Sequence, residues 1–83
     1  MLIRYFAWVR ERIGRAEETV ELPEGVTKVG DLIGWRAARD EGYAAAFAEP
    51  QVIRAALDLE HADHEAPLAG AREVAFFPPM TGG

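Results

Sequence analysis

Arg72-Glu73-Val74-Ala75-Phe76-Phe77-Pro78-Pro79-Met80-Thr81-Gly82-Gly83 is the stretch on which the rest of the chain turns. Its first half is rich in strand formers and alternates, with Val74 and Phe76 on one face and Ala75 and Phe77 on the other. Both faces are apolar, as in a central strand covered on two sides. Pro78 and Pro79 end the strand, because neither can donate to a sheet ladder, and each keeps the residue before it extended. Residues 78–83 therefore form a tail that reaches ~20 Å at about 3.3 Å per residue. A domain over 1–77 and a tail over 78–83 follow. Gly82 and Gly83 lack Cβ and can thread a narrow channel. The C-terminal carboxylate of Gly83 is the reactive group at the tip. A carboxylate is a poor electrophile until activated, for example as an acyl-adenylate; a sulfur donor attacking that adenylate leaves a thiocarboxylate.

Outward from this strand, Met1 to Val9 alternates as a second strand. Ile3, Tyr5, Ala7 and Val9 form an apolar core face, and Leu2, Arg4, Phe6 and Trp8 the opposite one. Val9 to Ile13 reads as a short helical turn capped by Gly14. Glu18 to Leu22 alternates again and closes an N-terminal hairpin before the Pro23-Glu24-Gly25 turn. Thr27 is the expected N-cap of the main helix, with Asp31 in its first turn and Val29, Leu32, Ile33 and Arg36-Ala37 at helical spacing. Gly42 interrupts the pattern, and Tyr43 to Ala48 forms a second short helix before Pro50. Gln51 to Leu59 is a strand, and His61 to Ala66 a polar loop. The expected class is α+β. Its order, β-β-α-β-(β)-β, is most simply a mixed sheet with one main helix packed across it, the β-grasp (ubiquitin-like) arrangement.

Composition limits the function. The chain has 83 residues, 49% of them apolar, enough for one small core. No apolar run approaches the length of a membrane span, and no signal-peptide pattern opens the chain, so a cytoplasmic protein without membrane partners is expected. With no cysteine, disulfides, thiolate metal sites and Cys nucleophiles are excluded. A net charge of −5 lacks the basic footprint of a nucleic-acid binder and suits a protein partner with a basic docking surface.

Other candidate residues favour plain readings. His61 and His64, with Asp63 and Glu65, have the composition of a metal site, but a solvated loop without further ligands accounts for them, and no metal is expected. Asp58, Glu60 and Asp63 read as an exposed strand end, and Arg10, Glu11, Arg12 and Arg15 as a solvated turn. No phosphate-cradling glycine pattern precedes a helix, so no cofactor bound by this chain is expected.

The run from Glu73 to Gly83 resembles the C-terminal signature of the molybdopterin synthase small-subunit family. Leu68 and Gly70 match that family's turn before the last strand. Ala7, Val9-Arg10-Glu11, Ile13 and Gly14 resemble its first strand and following turn. The chain departs at Gly70-Ala71-Arg72-Glu73, where members often carry Gly-Asp-Glu, and near Asp58, where they often carry Asn. The resemblance implies that an ATP-dependent activating enzyme adenylates Gly83 and that sulfur transfer then makes the thiocarboxylate. The tail, Pro78, Pro79, Met80, Thr81 and Gly82, inserts into a large catalytic subunit within a heterotetramer. Gly83 donates sulfur there to a cyclic pyranopterin precursor, and ATP is used by the activating enzyme alone. Two alternatives stay open: a related carrier for thiazole, tRNA or cysteine synthesis, and a binding module with an inert tail. In a β-grasp sheet the first and last strands are neighbours, so Phe6 and Phe77 are the expected partner interface at the root of the tail.

Overall fold

The computed structural model describes residues 1–79. The expected roles of Met80, Thr81, Gly82 and Gly83 fall outside them. Five strands form one mixed sheet: β1 (Leu2–Tyr5), β2 (Glu17–Thr19), β3 (Arg54–Leu57), β4 (Glu60–Ala62) and β5 (Glu73–Phe77), in the order β2-β1-β5-β3-β4. β1 and β5 pair in parallel, with Ile3 opposite Val74 and Tyr5 opposite Phe76. The β1–β2, β3–β5 and β3–β4 pairs are antiparallel. Three helices, α1 (Ala7–Ile13), α2 (Val29–Ala37) and α3 (Glu41–Ala46), accompany the sheet. This is the α+β, β-grasp arrangement.

The core follows from alternation. Ile3 and Tyr5 of β1, Ala55 of β3, and Val74 and Phe76 of β5 are buried against Val29, Leu32 and Ile33 of α2 and Tyr43 of α3. Phe76 stacks on Tyr5 with centroids 6.3 Å apart and meets Phe47 edge-on at 5.4 Å. The central strand is covered on one face only. Glu73, Ala75 and Phe77 remain half-buried on the other, so the expectation of two covered faces does not hold among the described residues.

Several boundaries move. β1 stops at Tyr5 because Ala7 takes a left-handed φ of 51°, which turns the chain out of the sheet and into α1. Val9 is buried as expected, but from a helix. Gly14 does cap α1, with φ 89° and its N–H on the Arg10 carbonyl at 2.8 Å. The N-cap of α2 is Lys28 rather than Thr27: Asp31 Oδ2 accepts from both the Thr27 and Lys28 N–H groups at 3.1 Å, which places the helix start one residue later. Gly42 lies inside α3, where a Cβ would stand 3.0 Å from the Arg12 carbonyl, so it serves a close approach of α1 to α3 and not a helix break. Pro50–Val52 forms a 3₁₀ turn, which shortens the expected third strand from its start. His61 lies in β4, not in a loop; the strand is short, polar and at the sheet edge, and lacks the apolar alternation that marks buried strands.

Candidate functional site at the tail root

β5 delivers the chain to Pro78 between two neighbours. On one side Phe77 faces Arg54 of β3. On the other, Phe6 donates its N–H to the Phe76 carbonyl at 3.1 Å, which fixes the end of β1 to the end of β5. Alternation then directs Phe77 away from the core that holds Phe76. Phe77 is half-buried, with the edge of the His61 ring against it at 5.6 Å and 76°. Phe6 is 43% exposed, one of two large apolar residues that stand well out into solvent among the described residues. The open sheet face at the tail root thus carries Phe6, Phe77, His61 and Arg54. Its floor is the small, cross-strand pair Ala56 and Ala75. Toward the other end Arg4 lies 3.7 Å from Glu17 and 3.8 Å from Glu73. A flat, small-residue floor with aromatic edges suits docking against another protein surface.

Beneath the same strand ends lies a polar cluster that pattern reading missed. Glu18 Oε2 accepts from Tyr5 Oη at 2.7 Å and from Tyr43 Oη at 2.6 Å, while Glu18 Oε1 accepts from Arg36 Nη1 at 3.1 Å and Arg15 Nη1 at 3.4 Å. Burial alone pushes the Glu18 carboxyl up, but the Tyr43 and Tyr5 hydroxyls and the Arg36 charge outweigh it and hold it below the ordinary carboxylate range. Burial, then the Glu18 carboxylate, push the hydroxyls of Tyr5 and Tyr43 up. Arg36 also lies over the Trp35 ring at 4.0 Å. This cluster ties β1, β2, α2 and α3 together and locks Tyr5, on which Phe76 stacks. The signal that could have found it is a lone Arg36 on the apolar face of α2, which requires a buried acid.

The two histidines part company. His61 faces Phe77, whereas His64 donates Nε2–H to the Ile53 carbonyl at 2.8 Å and pins the loop after β4. Among the described residues, no group of three or more His, Asp and Glu side chains is placed to hold a metal ion. Nor is any described helix long and apolar enough to cross a membrane. A groove of about 460 Å³ between α1 and α3 is lined by Trp8, Arg12, Ala46, Ala48, Glu49 and Val52. Arg12 is stacked on Trp8 there, 4.2 Å from the ring centroid.

Fold and site together define a ubiquitin-like β-grasp domain whose central strand, β5, ends at Phe77 before Pro78. The chain belongs to the ThiS family, whose model matches residues 3–83. It is 33% identical over 81 residues to the molybdopterin synthase sulfur carrier subunit of Escherichia coli, covering 98% of this chain and 96% of that one. Among solved structures it is similar to a putative molybdopterin converting factor, subunit 1, from Pyrococcus furiosus, at a TM-score of 0.72 and 29% identity over 94% of each chain. SAMP1 from Haloferax volcanii is similar at a TM-score of 0.71 and 25% identity, over 100% of this chain and 98% of that one.

Proposed function

We propose that the chain is the sulfur carrier subunit of a molybdopterin synthase, acting in the cytoplasm. An ATP-dependent activating enzyme joins the Gly83 carboxylate to AMP with release of pyrophosphate. A sulfur donor then displaces AMP and leaves the thiocarboxylate. The large catalytic subunit, in a heterotetramer, takes the tail and supplies the pocket, and Gly83 delivers its sulfur to a cyclic pyranopterin precursor. On this proposal the chain is the sulfur-donating half of an enzyme and binds no cofactor of its own. The observation that carries it is the full-length likeness to the E. coli subunit, with a family match that runs through Gly82-Gly83. The placement of Pro78 directly after a pinned central strand supports it, because the tail's reach and aim are then set by the sheet.

The near-equal likeness to SAMP1 supports a second proposal, in which the same tail serves another acceptor, in thiazole, tRNA or cysteine synthesis. Incubation with an activating enzyme, ATP and a sulfur source tests the shared chemistry. The expected result is a C-terminal mass gain of one sulfur for one oxygen, lost when Gly83 is deleted. Dithiolene formation on addition of the large synthase subunit then separates the two proposals. A chain that stays unmodified under these conditions is a binding module with an inert tail.

A further inference from the structure

The tip of the β3–β4 hairpin holds a residue that its own backbone disfavours. Leu57 pairs with Glu60, which leaves a two-residue loop, Asp58-Leu59, with φ of 48° and 72°. Loops with positive φ at both positions favour Asn or Asp followed by Gly. Asp58 fits: its Oδ1 accepts from the Arg72 N–H at 2.9 Å and the Glu73 N–H at 3.0 Å, and its own N–H donates to the Glu73 carbonyl at 3.1 Å. Leu59 does not fit. It places a branched apolar side chain in the left-handed region with no polar atom to compensate, and it is 81% exposed. A lone exposed Leu is ordinary. One that also strains the backbone is left unexplained by the fold, and strain of this kind gathers at binding sites. Glycine would suit this backbone, and a polar residue would suit the water.

The surroundings indicate what covers it. Asp58 and Glu60 flank Leu59 in the chain, and Glu73, whose N–H donates to Asp58 Oδ1, shares Arg4 with Glu17. An apolar knob in an acidic rim fits an apolar socket edged by Lys or Arg, in keeping with a chain of net charge −5. β5 runs from Glu73 beside this tip to Phe77 at the tail root, ~14 Å at about 3.4 Å per residue. A standard interface of about 800 Å² per partner spans both ends. We infer that Leu59 is a second anchor for the protein that takes the tail, seated in a basic-rimmed apolar socket at the far end of the sheet from Phe6 and Phe77. The inference rests on the synthase proposal, with the large subunit as that partner.

Calorimetric titration of the full chain with the large synthase subunit, beside thermal melts, tests it. Leu59→Gly is expected to weaken binding at least about tenfold with a Tm at or above that of the wild type, and Leu59→Met to bind within about twofold of wild type. Wild-type-like binding by Leu59→Gly overturns the inference alone. So does a fall in Tm that matches the loss of binding, since the residue is then structural. If the wild-type chain itself does not bind the large subunit, the synthase proposal fails and the inference falls with it.

Discussion

Arg36 Nη1 lies 3.1 Å from Glu18 Oε1, in an ion pair whose side chains are only 5% and 9% exposed, under the strand ends that deliver the tail. Arg36 Nε is buried without a hydrogen-bond partner among the described residues, so Glu18 carries most of the compensation for this charge. Removing one member of a buried pair strands the other. Glu18→Gln should therefore cost about 3 kcal/mol, measured by urea unfolding. A loss under about 1 kcal/mol would mean that water reaches Arg36 freely.

The same cluster sets a pH window. The folded Glu18 carboxyl is held below its ordinary value of 4.5, so its contribution is whole above that pH and is lost as pH falls through the lower folded value. Tyr5 and Tyr43 shift the opposite way from 10.0, so their contribution is whole below that pH and is lost as pH rises toward the higher folded values. Melting temperature should form a plateau between the two limbs. Glu18→Gln should flatten the acid limb, and a Tyr5→Phe, Tyr43→Phe pair the alkaline one. An acid limb unchanged in Glu18→Gln would assign it to other carboxylates.

The sheet centre was legible because Ile3, Tyr5, Val74 and Phe76 alternate and sit where a period of two places them. What misled lay where a local rule gave way to tertiary structure. Met1 to Val9 alternates as far as Val9, yet the φ of Ala7 breaks the strand; because Val9 falls on the buried side of α1 as well, burial pattern alone cannot separate strand from helix there. Gly42 has the look of a helix breaker, but its missing Cβ leaves room for the Arg12 carbonyl across a helix pair. β4 is polar because an edge strand need bury little. The Glu18 cluster joins residues 5, 18, 36 and 43, and no local period links them. At the tail root, the outward placement of Phe6 and Phe77 follows from register and was open to the same alternation argument.

Ala7 gives a third prediction. Its φ of 51° costs an L-residue about 1 kcal/mol or more, which glycine avoids. Glycine loses more chain entropy on folding, so the net gain for Ala7→Gly is smaller, about 0.5 kcal/mol. A modest rise in the urea midpoint is expected. A clear fall would mean that the methyl group packs more than its exposure implies.

Phe6 and Phe77 give the last prediction. Their rings leave the sheet on the face opposite Tyr5 and Phe76, so removing them spares the stacked core. Phe6 is well exposed, and Phe6→Ala should cost less than about 1 kcal/mol in stability. Phe77 is half-buried beside His61, and Phe77→Ala should cost about 1 kcal/mol. Both rings stand beside the end of β5, where, on the proposed function, a partner that takes Gly83 presses close. Aromatic anchors in such positions commonly carry about 2 kcal/mol or more of binding. On the proposed function, each variant should therefore bind the large synthase subunit roughly 30-fold more weakly, with a Tm lowered by no more than about 8 °C. The stability measurement separates docking from packing. If Phe77→Ala unfolds several kcal/mol more easily and its folded fraction binds normally, the ring belongs to the fold. If Phe6→Ala binds as the wild type does, the partner grips the sheet without its first strand.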